Sequence, residues 1–231
     1  MGLAAAGERH HLGQPRPVNP PKTSPLEEVR ELYESTADSY ADMMDAEIDL
    51  PVYGEVLSRL ADHIADLEGP VVDTSCGSGH MLDRYRERLD ATRPLVGIDL
   101  SPRMVAIAAA RLGAGAQVFA GDMREVREVE AESAAAVVSF FAIHHLDPEE
   151  VPLALAEWRR VLRPGGRLLL AAWEGAGAID YGGESGVVAL RFTRNEVRHW
   201  AEAAGYVVDR CVVEPVEEIP MDAVYLEGSR A

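Results

Sequence analysis

Three acidic residues, a small-residue loop and a histidine pair carry the chemistry legible in this 231-residue chain. Asp73 closes the β-branched run Val71-Val72 and opens the loop Thr74-Ser75-Cys76-Gly77-Ser78-Gly79. Gly77 and Gly79 lack a Cβ, so the backbone can turn tightly there and approach a bound molecule closely. Asp99 lies at the end of a second apolar run, where a carboxylate can accept hydrogen bonds from both hydroxyls of a ribose. Asp122 follows a third run, where it can accept from an exocyclic adenine amine. His144-His145 follow a fourth. A neutral imidazole there can take a proton from a hydroxyl or ammonium group near physiological pH; the alternative is a pair of half-buried histidines bonded to backbone.

Two ligand classes compete for the loop. A dinucleotide fingerprint needs G-x-G-x-x-G, its third glycine allowing the helix to pack closely on the strand. Here His80 and Leu82 stand where a third glycine is needed, which weakens the dinucleotide reading.

The elements that must position these residues alternate along the chain. A helix is expected over 26–44, with Ser24 as N-cap, Pro25 at the first helical position and Tyr33, Ala37, Tyr40 and Met44 on one face. A second helix over 52–67 follows Pro51. Strands are then expected at Val71-Val72-Asp73 and over 94–100, 117–121, 134–140 and 167–173. Helices over 81–89, 101–112 and 148–162 separate them, the last closed by Arg163-Pro164-Gly165-Gly166. A helix over 193–204 capped by Thr193 and two β-rich runs over 206–213 and 223–227 suit an antiparallel pair at one sheet edge. The glycine-rich stretch 174–191, which holds Tyr181, is expected to form a loop or hairpin over the pocket mouth. The fold class is α/β: a doubly wound, mostly parallel sheet whose ligand sits beyond the carboxyl ends of the strands.

Composition narrows the function. Nearly half the residues are apolar, ample for one domain over 25–231. Residues 1–24 show no apolar period and, with Pro25, include five prolines, so a disordered tail is expected there, with His10-His11 merely solvated. A net charge of −17 opposes binding to a phosphate backbone, so nucleic acid is not an expected partner. Cys76 and Cys211 form neither a disulfide framework nor a metal-ligand pattern, and no metal is expected. Without a leader-like segment or an apolar run of about 18 residues, a soluble cytoplasmic protein is expected, with no membrane partner. The oligomeric state stays open.

The loop from Asp73 to Gly79, the segments Gly97-Ile98-Asp99-Leu100-Ser101-Pro102-Arg103-Met104, Gly121-Asp122-Met123, Ile143-His144-His145-Leu146, and Arg160-Val161-Leu162-Arg163-Pro164-Gly165-Gly166 resemble the class I S-adenosylmethionine-dependent methyltransferases. The resemblance spans roughly residues 32–208, in the family's motif order. It implies a seven-stranded Rossmann-like sheet with a lid formed by helices within 25–67, and S-adenosyl-L-methionine as cofactor. It implies that the loop from Ser75 and Cys76 through Gly77 to Gly79 lines the methionine part, with Asp73 beside it. Asp99 then holds the ribose, Leu100 and Met104 border the adenine, and Asp122 with Met123 meets its polar edge. Tyr33 through Asp42 is similar to the family's N-terminal lid helix, which closes over the cofactor. The aromatic faces of Tyr33, Tyr40, Phe140, Phe141 and Trp173 can stabilise a cation, and Tyr33, Tyr40 and Phe140 are counted among the cofactor contacts. Ser75 departs from the family, which usually has glycine there. The implied activity is methyl transfer to an oxygen, nitrogen or carbon of a small-molecule metabolite, with His144 and His145 as candidate catalytic residues. The same fold and cofactor could instead serve a non-methylating step such as cyclisation, or a non-catalytic cofactor-binding partner protein.

Overall fold

A computed structural model of the chain describes residues 22–179, 186–216 and 221–231. Most of the expected tail, and Tyr181, therefore lie outside the described residues. In chain order the elements are α1 (Leu26–Glu47), α2 (Pro51–His63), β1 (Val71–Asp73), α3 (His80–Arg88), β2 (Leu95–Asp99), α4 (Pro102–Leu112), β3 (Ala116–Ala120), β4 (Ala134–Phe140), α5 (Val151–Val161), β5 (Leu162–Trp173), β6 (Ala178–Ile179), β7 (Ala189–Leu190), α6 (Arg194–Ala203), β8 (Tyr206–Pro215) and β9 (Asp222–Arg230). The main sheet has seven strands in the order β3-β2-β1-β4-β5-β9-β8. β1 to β5 pair in parallel, while β9 runs antiparallel to both β5 and β8, giving the expected antiparallel edge.

Strand alternation divides the core between the two faces. Val72, Val137, Leu168 and Leu170 face α5 and α6 in one apolar cluster, whereas Val71, Val138, Leu169 and Ala171 face α2 and α3 in the other. Both faces being covered, β1 and β4 are apolar except for the buried Asp73 and Ser139, as strands in a parallel sheet covered on both sides tend to be. The chain order reverses between β1 and β4, so a crevice opens beyond their carboxyl ends.

Several boundaries differ from expectation for identifiable reasons. Ser24 does not cap α1. It exchanges bonds with Val188, its N–H donating to the Val188 carbonyl and its Oγ accepting the Val188 N–H, each at 3.0 Å. Pro25 takes the N-cap position without a side-chain bond. The end of the supposed tail is thus anchored: Thr23 donates its N–H and Oγ1–H to Asp147, and Lys22 lies 3.4 Å from Asp147. Helix α2 stops at His63 because the Arg93 guanidinium gathers the carbonyls of Ile64, Leu67 and Gly69, turning the chain into β1. Arg163 to Gly166 bulges out of β5, the register stepping from Ala134↔Leu162 to Ala136↔Arg167, with Gly165 at φ +76°. Thr193 caps α6 as expected, in a capping box with Glu196. The 174–191 stretch contributes the two-stranded hairpin β6–β7. Among the described residues no helix is long and apolar enough to cross a membrane.

Candidate active site

β1 delivers its loop into the crevice through a set of short backbone bonds. Thr74 N–H donates to the Val138 carbonyl and Cys76 N–H to that of Ile98, pinning the loop to β4 and β2. The Asp73 carboxylate accepts from Ser75 N–H at 3.1 Å, a side-chain-closed turn. Asp99 accepts from Gly77 N–H at 2.8 Å and from Ser101 N–H at 2.9 Å, clamping the loops after β1 and β2 together. Gly77 needs its glycine on two counts: φ is +51°, and a Cβ would lie 3.2 Å from the Tyr40 ring. Gly79, at φ +83°, would push a Cβ to 3.1 Å from that of Ala108. Gly79 therefore lets α3 and α4 close up, the packing task a third glycine performs in dinucleotide sites.

Two cavities meet above this loop. A cleft of about 660 Å³ is lined by Tyr33, Tyr40, Ser75, Gly77, Asp99, Leu100, Met104, Asp122, Met123 and Phe140 from the expected cofactor set, and by His145. A chamber of about 1270 Å³ adjoins it, lined by Asp73, Cys76, His144, His80, Glu47, Tyr53 and Trp173 among others. Tyr33, Tyr40, Ser75, Phe140 and Phe141 border both and form the neck between them. Gly79 lines neither. Cys76 turns its sulfur toward Gly97, and burial pushes its thiol well up, so it is inert packing at the chamber floor.

The electrostatics are lopsided. Burial raises Asp73 to about 7, the Ser75 N–H opposing and the nearby Asp99 charge adding to the rise. Burial likewise raises Asp99, against its backbone hydrogen bonds. Asp122 is also pushed up by burial, but bonds from the Arg124 side chain and N–H outweigh this and hold it low. The Arg124 guanidinium grips both Asp122 oxygens and reaches on to Glu150. Asp122 thus meets the cleft already paired with a cation.

His144 and His145 fall in a single 3₁₀ turn, Ile143–His145, just past β4. Both are buried, at 2% and 6% exposure. Burial lowers His144 well below the usual imidazole value, with His145 adding to the shift, and lowers His145 to about 4, so both rings are neutral. His145 Nε2 is 2.9 Å from His144 Nε2 and 2.9 Å from the Tyr33 hydroxyl. His145 borders the cleft and His144 the chamber.

The lid is helix α1. Beyond Tyr33, it is docked by Glu34, whose carboxylate accepts from Ser101 Oγ–H at 2.7 Å and from Arg103 N–H at 3.0 Å, a negative charge placed at the amino end of α4. Asp38 pairs with Arg103 and Asp45 with Arg111 on the same helix. Glu34 lies within the lid motif, but its role depends on where α4 starts in space. Glu47 and Tyr53, which close the chamber, sit outside every motif, and no spacing signal marks them.

Two acids, the buried Asp73 on the chamber side of the neck and the half-buried Asp99 in the cleft, stand near each other with no Lys or Arg among the described lining residues of either cavity. Such a pair calls for a ligand carrying positive charge. The ammonium and sulfonium of S-adenosylmethionine fit that requirement, whereas the diphosphate of a dinucleotide would meet repulsion.

Comparison with known proteins agrees. A family model described as a methyltransferase domain matches residues 71–166. An uncharacterized methyltransferase of Geobacillus kaustophilus is 29% identical over 148 residues, 62% of this chain; the chain spans 66% of the length of that relative. The fold resembles that of Burkholderia thailandensis 1,6-didemethyltoxoflavin-N1-methyltransferase, solved with 1,6-didemethyltoxoflavin and S-adenosylhomocysteine bound, at a TM-score of 0.70 and 22% identity, covering 97% of this chain and 100% of that one. It also resembles the cyclase SpnF at a TM-score of 0.57 and 17% identity, covering 75% and 80%. The family match runs from the first residue of β1 to the end of the β5 bulge, taking in every strand end that clamps the cleft, and over this stretch the chain is similar to the class I S-adenosylmethionine-dependent methyltransferases.

Proposed function

We propose that the protein, acting in the cytoplasm, transfers the methyl group of S-adenosylmethionine to an oxygen, nitrogen or carbon atom of a small-molecule acceptor held in the aromatic chamber. The observation that carries this reading is the shared neck: an acid-lined cleft opens, through Tyr33, Tyr40, Ser75, Phe140 and Phe141, onto a second, separate cavity. The Burkholderia enzyme, which holds a small heterocycle beside S-adenosylhomocysteine on this fold, supports it. The net charge of −17 speaks for an acceptor other than nucleic acid.

The bound donor supplies a methyl group made electrophilic by its sulfonium. The protein then has to bind, align and exclude water, and alignment alone can be worth about 7–11 kcal/mol. Asp73 is placed to hold the donor's ammonium and Asp99 its ribose hydroxyls. Leu100, Met104 and Met123 form an apolar slot suited to a flat base, beside Asp122. Tyr33 and Tyr40, edge-to-face at 6.0 Å, roof the neck from the lid. Where the acceptor must lose a proton, His144 is the nearest neutral acceptor on the chamber side, with His145 and Tyr33 behind it. A strongly depressed imidazole is a weak base, so its help is greatest for an acceptor that becomes acidic only as the methyl arrives.

The test is to incubate purified protein with S-adenosylmethionine and a panel of small acceptors and to follow S-adenosylhomocysteine and methylated product by mass. Stoichiometric appearance of both supports methyl transfer. A rearranged acceptor formed without S-adenosylhomocysteine would place the protein with the cyclase SpnF instead, and cofactor binding without any turnover would make it a cofactor-binding partner.

A further inference from the structure

The chamber side of the neck holds a strained residue. Phe141 sits at φ +49°, a left-handed conformation that bulky side chains avoid. Its N–H donates to the Ala171 carbonyl at 2.9 Å, so β5 holds the strain in place. The strained turn brings its ring onto Trp173, the centroids 4.4 Å apart and the planes at 31°. Phe140 and Tyr225 brace that pair edge-on, at 6.0 Å and 6.4 Å from Phe141. A fold keeps such strain where the geometry serves a purpose. Phe140, Phe141 and Trp173 all remain partly exposed, and all three line the chamber.

The charges of the chamber point the same way. Its ionisable lining is Glu47, Asp73, His80 and His144, with no Lys or Arg among the described lining residues. Burial pushes Glu47 up and keeps both imidazoles neutral. An acceptor bearing a carboxylate, sulfonate or phosphate would enter without a partner for its charge among the described lining residues.

Resting on the methyltransferase reading, we infer that the acceptor is a flat, unsaturated ring system, neutral or cationic, stacked on the Phe141–Trp173 pair, and that Phe141 is the residue that sets this preference. The outer, partly exposed face of this ring pair favours a planar partner over a saturated one, and the Glu47 carboxyl, with no cation beside it in the described lining, favours a donor-bearing or cationic ring over an anion.

The experiment uses three probes of one carbon skeleton: 2-naphthol, 2-naphthoate and decahydro-2-naphthol. Each is titrated by calorimetry into the full chain with and without saturating S-adenosylhomocysteine. The expected result is 2-naphthol binding at least about tenfold more tightly than either other probe, with Phe141→Ala and Phe141→Gly each removing the advantage over decahydro-2-naphthol while that over 2-naphthoate remains. Gly relieves the positive φ, so the Phe141→Gly variant folds; because Phe141 also borders the cofactor cleft, its S-adenosylhomocysteine affinity is titrated alongside and the probe ratio is compared within each variant. Equal binding of the three probes, no binding of any below about 1 mM, or an undiminished preference over decahydro-2-naphthol in Phe141→Gly overturns the inference. Failure of S-adenosylhomocysteine itself to bind would overturn the methyltransferase reading, while the probe titrations without it still decide the stacking platform.

Discussion

The cleft and the chamber are built by opposite means. The cleft floor comes from the ends of β1, β2 and β3 and the loops that leave them, and its key contacts are carboxylates and backbone N–H groups, either two residues apart or on the loops of neighbouring strands. The chamber wall comes from α1, α2, β4, β5 and the segment after β8, and its key contacts are aromatic rings brought together from Tyr53, Phe140, Phe141, Trp173 and Tyr225. One is a local device repeated at successive strand ends, and the other is a product of packing. Substitutions in the cleft should therefore act on cofactor affinity, and those in the chamber on the acceptor and on turnover.

The largest effect that could break this division lies where the two meet. His144→Ala should lower turnover by about 10²-fold, the lower end of the range for a lost general base, with S-adenosylhomocysteine affinity almost unchanged. His145→Ala should affect both, because it also removes the hydrogen bond to Tyr33 of the lid. Single-turnover rates and calorimetry separate the two, and a rate loss below tenfold in His144→Ala would show that alignment suffices.

Asp99→Ala should weaken S-adenosylhomocysteine by about 2–3 kcal/mol, since a charged acceptor for two hydroxyls and the clamp between two loops are lost together. An affinity within about twofold of the parent would remove Asp99 from the ribose role.

Next in size is a pH effect on the same floor. Burial, partly offset by Ser75 N–H, raises folded Asp73 from 3.8 to about 7. For an acid raised in this way the folded state binds the extra proton, so its contribution to apo stability is present near pH 4 and lost as pH rises toward 7. A bound ammonium favours the ionised carboxylate, so cofactor affinity should climb as pH rises toward about 7, by at most about tenfold per unit, and level off above it. Calorimetry from pH 5 to 8 on the parent and on Asp73→Asn checks this; a slope that survives in the Asn variant would move the titration elsewhere. The buried histidines act with the other sign. Their depressed values contribute stability above about 6.5 that is lost as pH falls toward about 4, so the Asp73 term is read from the difference between the two proteins.

The smallest effect concerns the lid. Glu34→Ala should weaken cofactor affinity by a few-fold at most, releasing two bonds from a solvent-exposed side chain to the start of α4. An equal loss of melting temperature in the apo protein would show that Glu34 serves the fold rather than closure over the cofactor.

The contrast also explains what could be read in advance. Asp73, Asp99 and Asp122, each with its adjoining glycine or turn, were visible because a parallel strand and the loop that leaves it are local in sequence. The alternation of strands with helices likewise carried the sheet through to its antiparallel edge. Ser24 was misassigned because a cap is a local choice that Val188, 164 residues away, outcompeted. The end of α2 was misplaced because Arg93 collects its carbonyls from across a strand.

The sequence by itself determined the fold class, the loop that leaves β1 into the cleft and the acids that close the first three strands, since period, glycine and acid placement act over a few residues. Only the tertiary structure decided that Gly79 serves helix packing, that Asp122 arrives paired with Arg124, that Glu34 docks the lid, and that Phe141 is strained against Trp173. All but the Asp122–Arg124 pair, a local contact two residues apart that no motif marks, join residues separated by a crossover or more, and their contact energies exist only once the sheet has brought those elements within reach.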